Sequence, residues 1–159
     1  MKTFNAILCA DKSWSYIIDG NGIKFLMQKG RTFNLVFAEK TVKASLQDWV
    51  CVKTVEKIFT WFVKITLEET PATSDFNLLN EDSHQAGFGY LVTNSDGFEQ
   101  AKKLLEDRIE YIRNELDELV EKCANGEVKK ETVDAERGLL KRLEIMYSSF
   151  LESEEEFEI

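Results

Sequence analysis

The side chains that most often carry out chemistry are few in this chain of 159 residues. It contains a single histidine, His84, in a polar segment that also holds Glu81 and Asp82. A catalytic histidine usually works with an orienting carboxylate and often with a nucleophile, and neighbours on one loop rarely converge on one site. We therefore expect a solvated loop histidine and no catalytic residues. A small enzyme with a site around Glu81, Asp82 and His84 is the alternative hypothesis.

Metal and phosphate sites are also not indicated. One histidine and three scattered cysteines cannot build a zinc tetrahedron without several carboxylates. The segment 19–22, Asp-Gly-Asn-Gly, begins like a calcium loop, but Ile23 at the fifth position and Gly30 at the twelfth supply no ligand. Neither this segment nor Gly87-Phe88-Gly89 matches a phosphate-binding glycine motif. The sequence predicts no metal and no cofactor.

The cysteines indicate a reducing compartment. Cys9, Cys51 and Cys123 are odd in number and form no CxxC pair, which is typical of free thiols packed as small hydrophobic groups. The segment 1–10 has neither the basic start nor the long apolar core of a signal peptide, and no run of 18 apolar residues exists. We expect a cytoplasmic protein without a membrane partner.

Charge is divided along the chain. Residues 1–79 hold ten Lys or Arg against eight Asp or Glu, whereas residues 80–159 hold ten against twenty-one. A net charge of −9 argues against nucleic-acid binding, which needs a basic surface. It allows a basic protein partner, mimicry of a polyanion, or a role in solubility alone.

The first part of the chain has the patterns of short strands. Asp19-Gly20-Asn21-Gly22 predicts the loop of a β-hairpin. Residues 55–67 alternate between apolar and mixed positions, the period of a half-buried strand. Residues 39–53 are ambiguous, with a helical turn at 43–48 as one alternative, and residues 68–85 resemble a loop. The predicted strands are Thr3–Leu8, Trp14–Ile18, Ile23–Met27, Thr32–Phe37, Val55–Leu67 and Gly87–Val92.

Two amphipathic helices follow. The first begins near Ser95-Asp96, with Asp96 as the predicted cap, and ends at Asn125-Gly126, where Gly126 suits the left-handed position after a helix. The second runs from about 128 or 132 to Leu151. Their predicted apolar stripes are Phe98, Ala101, Leu105, Ile109, Ile112, Leu116, Leu119 and Cys123, and Thr132, Ala135, Leu139, Leu143, Met146 and Phe150.

These patterns predict an α+β fold in which an N-terminal antiparallel β-meander is followed by a C-terminal antiparallel helical hairpin. We expect a single domain, 1–159, composed of a β-rich part (1–93), the hairpin (94–152) and an acidic tail (153–159) that frays in solvent. If the sheet leaves the hairpin uncovered, its second apolar edge needs a partner, and a homodimer is the simplest one.

In general character the whole chain resembles the small early proteins of T-even-like tailed phages. It is short, acidic and poor in proline, and rich in Phe, Asn and Lys, and it shows no active site. That resemblance implies a protein that binds and disables host machinery in the host cytoplasm. Size and acidity are similar to those of the phage inhibitor of the host ATP-dependent protease Lon, which implies Lon as a partner. The resemblance carries no functional residue over.

We therefore expect a non-enzymatic, protein-binding inhibitor that acts by covering a surface. The alternatives are an acidic DNA mimic with antirestriction activity, and a structural or assembly protein. The predicted interaction residues are the carboxylates that end the chain: Glu152, Glu154, Glu155, Glu156 and Glu158.

Overall fold

The computed structural model describes residues 2–10, 32–56, 59–79 and 85–157. The predicted hairpin 14–27 and His84 with its acidic neighbours lie outside these residues. The described chain forms two compact units, Met1–Gly97 and Phe98–Ile159. Its elements are β1 (Lys2–Ala10), β2 (Thr32–Phe37), β3 (Thr41–Lys53), β4 (Phe59–Leu67), β5 (Asp75–Leu79), β6 (Gln85–Leu91), α1 (Ser95–Ala124), α2 (Lys130–Glu152) and a 3-10 turn (Ser153–Phe157).

The described strands form a closed antiparallel barrel in the order β1-β4-β3-β2-β5-β6. This confirms the α+β class and corrects the predicted meander. Only β2, β3 and β4 follow one another as a meander does. β1 lies between β4 and β6, with Ala6 opposite both Val63 and Leu91, so the first strand closes the sheet on itself. Such long-range pairing leaves no local signal in the sequence.

The barrel interior is filled by side chains of one parity from each strand except β3, whose parity changes at a bulge. The period-two pattern predicted for β4 is confirmed, because its alternate residues point inward. These inward residues are Phe59, Trp61, Val63, Ile65 and Leu67. Phe62, on the opposite face of β4, is buried as well, as its apolar character suggests. The buried cluster consists of Phe4, Ala6, Leu8, Leu35, Phe37, Val42, Ala44, Leu46, Phe59, Trp61, Val63, Ile65, Leu67, Phe76, Leu78 and Leu91.

Strand β3 replaces the helical turn that residues 43–48 suggest. Its register against β4 shifts between Leu46 and Asp48, which marks a β-bulge. Because the bulge adds one residue, inward parity changes from even to odd positions, and Trp49 packs on the core at 5.1 Å from the ring of Trp61. The break in alternation explains why the sequence pattern was ambiguous.

Strand β5 lies inside the segment predicted as a loop. Phe76 and Leu78 point into the core, while Asp75 and Asn77 occupy the outward positions. Asp and Asn are rare in strands, so the composition concealed an alternation only five residues long. The preceding residues are held by Glu39, whose carboxylate accepts hydrogen bonds from the Ala72 amide at 2.7 Å and from the Thr73 hydroxyl at 2.8 Å.

Gly89 allows β6 to approach β1 closely. A Cβ added there would overlap the carbonyl oxygen of Ile7 and lie 2.9 Å from Cζ of Phe76. Phe76 is the register partner of Gly89 on β5, so its ring fills the interior space that a side chain at position 89 would occupy. The glycine is therefore required where the barrel closes.

The first helix has the predicted length but a different cap. The Gly97 amide donates to Oδ1 of Asn94 at 2.8 Å, so Asn94 rather than Asp96 is the N-cap. Asp96 stands in the first turn, where a carboxylate interacts favourably with the helix dipole. At the other end Gly126 has φ +76°, as predicted. The Gly126 and Glu127 amides donate to Cys123 and Lys122, the two bonds of a Schellman motif.

The helices α1 and α2 are antiparallel, as predicted. Glu106 on α1 contacts Tyr147 on α2, and the later residue Arg113 contacts the earlier residue Glu144. The two helices therefore run in opposite directions. Of the α1 stripe, residues up to Ile112 are buried and those beyond it are half-buried. On α2 the stripe begins at Val133, and the predicted Thr132 and Ala135 are exposed.

We predict that Gly89→Ala lowers the free energy of unfolding by about 2–4 kcal/mol, because the new methyl group cannot avoid the Ile7 carbonyl without moving β1. The matched control is Gly138→Ala on α2, where no atom lies within 4 Å of the added Cβ. This control should raise helix stability by up to about 1 kcal/mol. Urea denaturation followed by circular dichroism measures both. Equal stability of Gly89→Ala and the parent chain would contradict the close approach.

Candidate functional site

The predicted acidic residues lie at the end of α2 and in the 3-10 turn. Glu152 is the last residue of α2 and is exposed, and Glu154, Glu155 and Glu156 follow in the turn. Glu158 lies outside the described residues. We call Ser153–Phe157 the acidic turn. Within the described residues the predicted set is therefore brought together on one continuous segment.

The acidic turn is ordered, which corrects the prediction that the tail frays from residue 153 onward. The ring of Phe157 lies 5.9 Å from that of Phe98, and Phe98 stacks on Phe150 at 4.6 Å with 6° between the planes. The Ser153 hydroxyl donates to the carbonyl of Phe150 at 2.6 Å. Phe157 was the available signal in the sequence, because an aromatic residue among carboxylates at a chain end is a candidate anchor.

The carboxylates do not all share one face. A 3-10 helix has about 3.0 residues per turn, so the side chains of three consecutive residues point in three directions. Residues one turn apart are aligned, which places Glu155 on the side of Glu152. Glu152, Glu155 and Glu156 are exposed, and Glu154 is half-buried. The exposed carboxylates of this segment therefore form a compact anionic end of the α1–α2 unit.

Polar contacts between α1 and α2 fix the hairpin that carries the turn. The Tyr147 hydroxyl donates to Glu106 at 3.0 Å, and Arg113 lies 3.8 Å from Glu144. The ion pair is exposed on both sides and so contributes little to stability. Aromatic stacking of Phe98 with Phe150 is the stronger restraint at this end of the hairpin.

Further along the hairpin, two carboxyl groups face each other across the helices. Partial burial of Glu136, together with a hydrogen bond to Glu115 and the charge of Glu115, raises the pKa of Glu136 to about 7. Near pH 7 the Glu136 carboxyl is therefore partly protonated and can donate a hydrogen bond to Glu115. This contact between the helices weakens as the proton is lost, so it is a pH-sensitive helix contact.

No group of three or more His, Cys, Asp or Glu within the described residues is arranged to hold a metal ion. The three cysteines are half-buried, and none of them forms a disulfide with another described residue. Neither helix of the described chain has a stretch long and apolar enough to cross a bilayer.

A second surface, which the sequence did not predict, lies on the outside of the barrel. A cleft of about 540 Å³ crosses β2, β5, β6 and β1. Its floor includes Gly89 and the backbone around Phe37 and Phe76. Phe88 is 57% exposed at its edge, an unusual position for a phenylalanine. We call this the outer cleft, and its outward-facing side chains are Cys9, Val36, Ala38, Asp75, Asn77, Phe88 and Tyr90.

Comparison of the chain with protein-family models, curated proteins and solved structures finds no significant match. Function must therefore be argued from the surfaces themselves.

We predict that Glu136→Gln removes a pH dependence of hairpin stability. The pKa of Glu136 is higher in the folded chain than its usual value near 4.5, so the folded state binds more protons between about pH 4.5 and pH 7. Stability is therefore highest below this window and falls as pH rises through it. At pH 8 the glutamine variant should be more stable than the parent by about 1 kcal/mol after allowance for solvent screening.

Urea denaturation followed by helical ellipticity at pH 4.5 and pH 8 measures the effect. Glu131→Gln, at an exposed position in the first turn of α2, is the control and should leave the pH dependence unchanged. A parent chain equally stable at both pH values would contradict the raised pKa of Glu136.

We also predict that Phe157→Ala releases the acidic turn, because the contact with Phe98 is lost. Amide hydrogen exchange at residues 153–157 should become at least tenfold faster, which corresponds to a loss of about 1.4 kcal/mol of local stability. Glu155→Ala, in the same turn and exposed, is the matched control and should change exchange less than threefold. Unchanged exchange in Phe157→Ala would show that the ring does not anchor the turn.

Proposed function

We propose that this chain is a non-enzymatic inhibitor that binds another protein and blocks it by covering its surface, with a bacterial ATP-dependent protease of the Lon type as the target. The observation that carries the proposal is the acidic turn. Three exposed carboxylates, Glu152, Glu155 and Glu156, are held at the end of a two-helix unit by the packing of Phe157 on Phe98.

Order in the turn matters for binding. A charged segment that is disordered must lose conformational entropy when it binds, whereas a segment already fixed by its own core does not. The division of charge between the two halves of the chain also favours binding. A target surface with the complementary electrostatic potential would associate faster and would be selected over other proteins. The resemblance to early phage proteins supports Lon as the target and the host cytoplasm as the place where this protein acts.

The geometry favours a protein target over mimicry of DNA. Duplex phosphates follow one another along a regular path, and a mimic must present its carboxylates in the same way. In the acidic turn, Glu154, Glu155 and Glu156 point in three directions around the axis. This arrangement suits a basic pocket or ring on a protein better than a surface shaped for duplex DNA.

The test is ATP-dependent degradation of an unfolded substrate by purified Lon with increasing amounts of this protein. We expect inhibition that weakens as salt rises, because exposed charges are screened over about 8 Å at 0.15 M salt. The triple variant Glu152→Gln, Glu155→Gln, Glu156→Gln should raise the inhibition constant at least tenfold.

The matched control neutralises three exposed carboxylates at the other end of α1, Asp117→Asn, Glu118→Gln and Glu121→Gln. It removes the same charge and should change inhibition less than twofold. Equal loss in both triple variants would show that only net charge matters. No inhibition by the parent chain would refute Lon as the target, and selective inhibition of a restriction endonuclease would favour the DNA-mimic alternative.

A further inference from the structure

The outer cleft has the composition of a site for a planar cation. The residues of the described chain that line it include one carboxylate, Asp75, and no Lys or Arg. The Asp75 carboxylate forms no ion pair with another described residue. Two aromatic side chains, Phe88 and Tyr90, lie beside it. A cation is the ligand that both a carboxylate and the faces of aromatic rings attract.

The spacing of the aromatic residues selects a flat group. Phe88 and Tyr90 are two residues apart on β6 and point to the same side, which separates their Cα atoms by about 6.6–6.8 Å. This is about twice the distance at which stacked atoms are in contact, 3.5 Å or slightly more. Rings that stand off the strand at this spacing admit one planar group between them, and the compact ammonium of lysine would not fill that gap.

The register of the strands places the carboxylate next to that gap. Asp75 is the partner of Tyr90, and Asn77 is the partner of Phe88, so the two polar side chains stand on β5 directly beside the two aromatic ones. Opposite side chains of an antiparallel pair have Cβ atoms about 4.5–5.5 Å apart. Burial, followed by the charge of a Cys9 thiolate, raises the pKa of Tyr90, so its ring carries a neutral hydroxyl at physiological pH.

We infer that the outer cleft binds the guanidinium group of an arginine presented by a protein partner. The guanidinium lies between Phe88 and Tyr90, and its N–H groups donate to the Asp75 carboxylate. Arginine is favoured because its planar, weakly hydrated cation stacks on rings and pairs with a carboxylate at the same time. Binding would also cover Phe88, which is otherwise exposed to water.

The occupant is a side chain of a macromolecule because the site lies on the outer face of the barrel and does not enclose a ligand. A small molecule is usually held in a cavity that buries most of its surface. A nucleic acid could place a base between the rings, but its phosphates would then approach Asp75 at unfavourable cost. This inference deepens the proposed function and depends on it only for the partner's being a protein.

The experiment is an NMR titration of the full chain with a blocked Gly-Arg-Gly peptide, compared with Gly-citrulline-Gly and Gly-Lys-Gly. Citrulline has nearly the shape of arginine without its charge. We expect amide shifts in 75–79 and 85–91 that saturate in the millimolar range with the arginine peptide, and at least fivefold weaker binding of the other two peptides.

Variants locate the site. Asp75→Asn should weaken binding of the arginine peptide about tenfold, and Phe88→Ala about threefold to fivefold. Glu68→Gln, an exposed carboxylate just beyond β4 and outside the cleft, is the control and should bind like the parent. Both cleft substitutions are at exposed positions, so the folded spectrum should persist.

Three results would overturn the inference: no shifts with the arginine peptide, equal binding of the citrulline peptide, or shifts at the same residues with oligothymidine but not with the peptide. The titration involves no residue of the acidic turn. If the arginine peptide does not bind but the chain still inhibits Lon, only the cleft inference is refuted. If the peptide binds but the chain does not inhibit Lon, only Lon as the proposed target is refuted.

Discussion

Closure of the barrel by β1 is the constraint on which the first unit depends. β1 pairs with β4 on one side and β6 on the other, so its residues 6–9 lie between two hydrogen-bonded neighbouring strands. Gly89 makes this possible because any side chain there would collide with the backbone of β1. The aromatic side chains of the outer cleft belong to the same strand. Because β6 turns its glycines inward, it presents the exposed Phe88 and the half-buried Tyr90 on its other face.

The second unit is organised around a different contact, the stacking of Phe98 on Phe150, with Phe157 tilted against Phe98. Phe98 lies in the first turn of α1 and Phe150 in the last turn of α2, so their contact joins the two ends of the hairpin. Adding Phe157 extends this small core into the acidic turn. The carboxylates of the acidic turn are thereby held on a defined surface, and this order is what makes them a candidate binding element.

Several features could be predicted from the sequence because their causes are local. Amphipathic periodicity located both helices, and Gly126 marked the end of α1 because a left-handed residue needs no tertiary partner to be favoured there. The sequence predicts Asp96 as the N-cap, whereas Asn94 caps the helix in the structure. Both side chains are able to cap, and only the residue at which the helix begins distinguishes them. β5 was missed because its outward Asp75 and Asn77 hide the alternation, and the bulge in β3 broke the alternation itself.

Local sequence patterns were sufficient to predict the α+β class, the approximate extent of both helices, the inward face of β4 and the concentration of negative charge in the second half. Each of these features depends on residues that lie close together in the sequence, within one or two helical turns or a few strand residues. Tertiary structure alone decided that the strands close into a barrel and that Phe157 orders the acidic turn. It also decided that Asp75, Phe88 and Tyr90 share one cleft. Each of these contacts joins residues far apart in sequence or depends on register, and no local pattern encodes register across a barrel.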